Sequence, residues 1–237
     1  MLLFILLFCF AARAQKKPVD YVNVFTGTSN SRWMMFPGAT MPFGLVKLSP
    51  DNQDNVWNGG YEYTIGSISG FTHLHAMSLS GLSVMPVTGN SFANEGWLKA
   101  YPGPADGPFG SMWTASYRSR YKKETEQGSP GYYRVQLLDY NIKAELTSTM
   151  RCGMMRFTFP QTEQAHLILN FDFPTEEKND VVQTHFEKIS ETEVQGFIKQ
   201  KNDYVPNYTV YFVLQINKPF GTADAWQSEP YTDSANS

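Results

Sequence analysis

Residues 131–160 read GYYRVQLLDYNIKAELTSTMRCGMMRFTFP, and this stretch decides the fold class. Its runs GYYRVQLLD (131–139), NIKAELTST (141–149) and MMRFTF (154–159) are rich in aromatic and β-branched residues. The turn formers Asp139-Tyr140-Asn141 separate the first two. Side chains along a strand alternate between its faces. In the second run Ile142, Ala144 and Leu146 therefore share one face, and Lys143, Glu145 and Thr147 share the other. This period of two, bounded by turn signals, predicts antiparallel strands.

The same grammar extends downstream through AHLILNF (165–171), TEVQGFIKQ (192–200) and YTVYFVLQI (208–216). Pro160-Gln161, Pro174 and Asn202-Asp203 punctuate these runs, and Glu176 to Asp180 read as a solvated loop. No segment carries a sustained apolar stripe of helical period. The expectation is an all-β chain, an antiparallel β-sandwich or barrel with long loops. Upstream, GLVKLS (44–49) and LSVMPV (82–87) are the best strands, set among FPGAT, MPFG, SPDN, WNGGY and SGFTH. Irregular segments of that length are usually functional loops on a rigid scaffold.

The first fourteen residues, MLLFILLFCFAARA, form an apolar run ending in an A-x-A pattern. They read as a secretory signal (1–14), too short to span a bilayer, ahead of a domain over 15–237. Secretion or periplasmic export follows as the expected destination. Of the two cysteines only Cys152 lies beyond the signal, so no internal disulfide is expected; within a strand-like run it reads as a small buried apolar residue. The net charge of −3 and the lack of any basic block argue against nucleic acid as a partner.

Aromatics make up 15% of the chain, and in the first half they stand alongside Gly and Pro, as in WNGGYEYT (57–64) and YPGPADGPFGSMW (101–113). Such faces suit stacking on sugars, and equally suit packing a loop-rich protein. In WNGGYEYT, Tyr61 and Tyr63 would share a strand face beside Trp57, and Gly59-Gly60 would let the backbone bend or approach a ligand closely. In GFTHLHAM (70–77), His73 and His75 would share a face as well. Two imidazoles are one ligand short of the simplest metal site, and no Cys or Glu stands nearby at ligand spacing. Hydrogen bonding to loops or to a ligand suits them better. Asp51 in SPDN reads as a turn residue bonding its own backbone. No carboxylate pair has a context that nominates it for acid–base work, and the common nucleophile, phosphate and dinucleotide motifs are absent.

YVNVFTGT (21–28), FPGATMPFGLVKLSPD (36–51), WNGGYEY (57–63) and SISGFTHLHAMSLSGLSVMPVTG (67–89) resemble, in order, the N-terminal domain of glycoside hydrolase family 92. The similarity continues over residues 121–160. The resemblance implies a supersandwich-like β-domain followed by an (α/α)6 barrel, in a secreted, calcium-dependent, inverting exo-α-mannosidase. Such an enzyme removes terminal mannose from α-mannosides, including N-glycans. Both catalytic carboxylates and the calcium ligands would then belong to the barrel domain, so within this chain no catalytic residue, no metal ligand and no cofactor is expected. The sandwich itself would be incomplete at the C-terminal side. The resemblance places the family's pocket tryptophan on Trp57, with Tyr61, Tyr63, His73 and His75 beside it as substrate or interface residues. FPGAT and MPFG look like conformational motifs, with Gly38 and Gly44 supplying turns. The sequence departs from many members in AMSLSGLSVMPVTG (76–89) and SNSRWMMFPG (29–38), both near that pocket. The alternative reading is a stand-alone carbohydrate-binding or interaction module without catalysis.

Overall fold

The hairpins expected from residues 131–160 form in register. The structure, a computed structural model, describes residues 16–29, 35–52, 60–75, 79, 81–89, 98–100, 113–115, 117–171, 180–202 and 204–223. The expected signal segment and Trp57 lie outside these residues. The strands in chain order are β1 (Ala39–Thr40), β2 (Lys47–Asp51), β3 (Ser67–Ile68), β4 (Gly70–Thr72), β5 (Ser83–Thr88), β6 (Leu98–Ala100), β7 (Trp113–Ala115) and β8 (Ser119–Arg120). They continue with β9 (Gln127–Ser129), β10 (Tyr132–Leu137), β11 (Ile142–Ser148), β12 (Gly153–Thr158), β13 (Ala165–Asn170), β14 (Asp180–Lys188), β15 (Glu193–Lys201) and β16 (Tyr208–Gln215). Short 3-10 turns at Pro18–Tyr21 and Lys123–Thr125 are the remaining regular elements among the described residues.

All the pairings are antiparallel. One sheet runs β1-β2-β4-β5-β13, a second β12-β11-β10-β9 and a third β14-β15-β16, with small pairs β3-β8 and β6-β7. This is an open β-sandwich rather than a barrel. In the second sheet Ile142, Ala144 and Leu146 of β11 stand opposite Leu137, Val135 and Tyr133 of β10. All six are buried, as period-two alternation requires. They pack with Leu48, Phe71, Met85 and Ile168 of the first sheet. On the outer face, Arg134, Glu145 and Arg156 form one cross-strand rung. Arg156 grips Glu145 in bidentate fashion, at 2.9 and 2.8 Å.

A second core joins Leu82 and Val84 to Ile198 of β15, and Met155 and Phe157 of β12 pack against both cores. The third sheet is thereby tied to the rest by apolar contact. Its edge strand β14 was not anticipated from sequence, and Asp180 begins it rather than closing a loop. The reason is visible in its exposure: nearly every β14 residue faces solvent, so DVVQTHFEK carries no alternating signal. Charged, polar edges of this kind discourage pairing with another chain. Cys152 also differs from expectation. It is exposed, in the turn between β11 and β12, where its N–H donates to Thr149 Oγ1 at 3.0 Å.

Two glycine-bearing motifs resolve differently from one another. Gly38 lies against β2, where a Cβ would come within 2.1 Å of the Leu48 carbonyl, so close backbone approach rather than a turn demands it. In MPFG the left-handed residue is Phe43 and not Gly44, with φ of 59°. Holding a bulky L-residue there costs on the order of 1–2 kcal/mol.

Ile198 is fully buried and belongs to the core that binds the third sheet. Ile198→Ala is expected to destabilise the chain by about 3 kcal/mol. Urea unfolding should still show one transition, because the two cores share Met155 and Phe157; a separate early transition of the third sheet would contradict the shared core.

Candidate functional site

Strand β2 ends at Asp51, and residues 53–59 separate Asn52 from Gly60. The feet of this excursion are clamped together. Asn52 N–H donates to the Gly60 carbonyl at 2.8 Å. The Asn52 side chain copies a strand backbone for Glu62: its Nδ2 donates to the Glu62 carbonyl at 3.0 Å, and Glu62 N–H donates to its Oδ1 at 2.7 Å. Buried Arg118 adds a bond from Nη2 to the Asn52 carbonyl and one from Nε to Ser67 Oγ at 2.6 Å. The residues between the feet include Trp57.

Beneath the clamp, Asp51 and His75 form a wholly buried pair, with His75 Nε2 2.9 Å from Asp51 Oδ1. His75 Nδ1 is 2.7 Å from the Lys47 carbonyl. A carbonyl only accepts, so Nδ1 carries a proton, and Asp51 and Nε2 share one further proton between them. Burial raises the Asp51 pKa and His75 opposes that rise, which favours the uncharged carboxyl. The other oxygen, Oδ2, has no hydrogen-bond partner among the described residues. Phe36 packs its ring 4.9 Å from the imidazole. Gly60 closes the arrangement. Its φ is +80°, and a Cβ there would meet Asp51 Oδ1 at 2.3 Å and the His75 ring at 3.3 Å. Asp51 is thus the buried last residue of β2, and not the self-bonding turn residue expected from SPDN.

His73 and His75 do not share a strand face, because β4 stops at Thr72. Each imidazole has its own partner. His73 lies against Gly153, where a Cβ would come to 2.3 Å of its Nε2. Burial first, and the neighbouring His75 second, lower the His73 pKa to about 4. No group of three or more His, Cys, Asp or Glu residues placed to hold a metal stands among the described residues.

Tyr61 and Tyr63 are brought together, but around a lysine. The Lys123 ammonium lies 4.2 Å from the Tyr63 ring centroid, 4.6 Å from that of Tyr121 and 5.2 Å from that of Tyr61. It donates to Tyr61 Oη and Glu126 Oε2, each at 3.0 Å, and to Tyr121 Oη. Glu126 Oε1 accepts hydroxyl protons from Tyr61 and Tyr133, both at 2.7 Å. Burial lowers the Lys123 pKa, and Glu126 opposes this. Tyr61 is interior and its ring faces no solvent, whereas Tyr63 keeps 39% of its surface exposed. Of the five side chains expected at a pocket, Tyr61 and His75 are buried, His73 is half-buried, and Tyr63 is the most exposed of the described ones. Sequence reasoning missed Asn52, Arg118, Lys123 and Glu126. The i,i+3 pair in YKKETEQ was a signal for the last two.

The sequence profile of the glycosyl hydrolase family 92 N-terminal domain matches residues 21–237. The chain belongs to this family. The family 92 domain is similar to a solved family GH92 α-mannosidase of Bacteroides thetaiotaomicron, with 32% identity and a TM-score of 0.71. That match covers 87% of this chain and 27% of the mannosidase. The same mannosidase has been solved in complex with mannoimidazole, and there the match has a TM-score of 0.69, 32% identity and coverage of 85% of this chain and 25% of that one. Among curated proteins, an uncharacterized secreted glycosidase of Arthroderma benhamiae is 28% identical over 153 residues, covering 63% of this chain and 18% of that protein. The family 92 domain thus spans about a quarter or less of these relatives.

Protonation of His73 links the site to stability. An unfolded imidazole protonates near pH 6.5, whereas the folded one stays neutral down to about 4. Between those values the unfolded chain binds the extra proton, so His73's stabilisation is full above pH 6.5 and is lost on acidification toward pH 4. The loss should reach on the order of 3 kcal/mol at most. Urea unfolding at pH 7, 5.5 and 4 should show this decline in the native chain and a shallower one in His73→Gln.

Proposed function

We propose that the chain is the N-terminal, substrate-contacting domain of an exported exo-α-mannosidase. That enzyme removes terminal mannose from α-linked mannosides, N-glycans among them, with inversion and with calcium. The observation that carries this reading is the 32% identity to a solved α-mannosidase across 87% of the chain. The apolar leader over residues 1–14 and the likeness to a secreted glycosidase support export.

Inversion needs one carboxylic acid to protonate the leaving oxygen and one carboxylate to activate water from the opposite side. Each buried carboxyl among the described residues has a partner within this domain. Asp51 bonds His75, Glu62 accepts from Thr64, Glu126 binds two tyrosines and Lys123, and Glu145 holds Arg156. None is assigned as acid or base. Calcium takes six to eight oxygen ligands. The resemblance to family 92 gives those ligands to a further domain, and no residue here is assigned to the ion. What this domain contributes is position: the Asn52 clamp joins the residues on either side of the segment that includes Trp57, and Tyr63 offers an exposed ring.

Two measurements test the reading. The chain by itself should release no mannose from α-mannosides with calcium present; calcium-dependent release by it would overturn the division of labour. In the protein carrying the further domain, Trp57→Ala should lower kcat/KM about tenfold through lost ring contact. Its Tm should not change, and wild-type kinetics would remove Trp57 from the pocket.

A further inference from the structure

We propose that the Met41–Leu45 turn is a docking knob for the further domain that longer family members carry, presenting an apolar plug to an apolar socket. The proposal rests on reading the chain as one domain of a longer enzyme. Gly44 N–H donates to the Met41 carbonyl at 2.9 Å, closing a four-residue turn with Pro42 and Phe43 at its centre. Proline at the second position with positive φ at the third is the type II pattern, which favours glycine or asparagine where Phe43 stands.

Among the described residues nothing offsets that conformation. Phe43 is 99% exposed, so its ring gains no packing here. The turn is nevertheless rigidly seated, because Leu45 N–H donates to the Met150 carbonyl at 2.8 Å in the turn between β11 and β12. Exposed Leu45, Met150 and Met41 join Phe43 in one apolar surface around the two turns. A strained, exposed phenylalanine on a pinned turn is a feature of a surface that something else covers. The occupant is argued from the solved mannosidase, where the match covers 27% of the chain and so leaves 73% of it available to cover such a surface.

Cys152 supplies the probe. It is exposed in the same turn as Met150, and Thr149 N–H donates to its carbonyl at 2.8 Å. Maleimide modification of Cys152 is followed by mass spectrometry of its peptide, in the present chain and in the same chain continued through the downstream domain. Modification should be slower in the longer protein by about tenfold or more. Phe43→Asn should restore the fast rate in the longer protein. In the shorter chain the same substitution should raise Tm by about 2–4 °C, because asparagine accepts the left-handed backbone. Equal modification rates in both proteins would overturn the proposal. So would a lower Tm for Phe43→Asn in the shorter chain, which would mean that the ring packs within this domain. A concentration-dependent dimer of the shorter chain abolished by Phe43→Asn would assign the surface to a second copy instead. The readouts are independent of mannoside hydrolysis, so they stand or fall separately from the enzymatic reading.

Discussion

A carboxyl group and an imidazole, both closed off from water, share one proton at the end of β2, and the loop-rich half of the domain is organised on that contact. An ionised carboxylate alone in this position would carry a desolvation penalty of several kcal/mol. Sharing the proton with His75 opposes that penalty, and it demands close placement. His75 must be held by the Lys47 carbonyl, and Gly60 must pass without a side chain. The excursion from Asn52 to Gly60 inherits this geometry. Its feet can close only because the Asp51–His75 pair leaves room for a glycine and for nothing larger.

Tyr61, Tyr121 and Tyr133 meet in a second polar hub. Irregular backbone and tyrosine hydroxyls cannot be buried without partners. Glu126 and Lys123 supply those partners for Tyr61, Tyr121 and Tyr133, and the ammonium also lies against the ring faces. The hub turns Tyr61 inward and leaves Tyr63 at the surface. A single ammonium thus separates a structural tyrosine from an accessible one two residues away.

Both hubs tie together residues far apart in sequence, Asp51 with His75 and Tyr61 with Glu126. The Phe43 ring, by contrast, stays exposed on its turn.

The fold was legible in residues 131–160 because alternation is a local property: each inward Ile, Ala or Leu of β11 announces its face through its immediate neighbours. Strand β14 was illegible for the converse reason, as an edge exposed on both sides has no pattern to show. At the site, the sequence by itself determined which residue types were available, namely the paired histidines, the tyrosines and the glycines, and it supported the family. Tertiary structure alone decided their roles. His75 found its partner 24 positions upstream in Asp51 and Tyr61 found its own 65 positions downstream in Glu126. The same structure parted His73 from His75, buried Tyr61 and exposed Cys152. Burial and the sharing of a proton depend on what the folded chain brings from far away, and no local spacing encodes that.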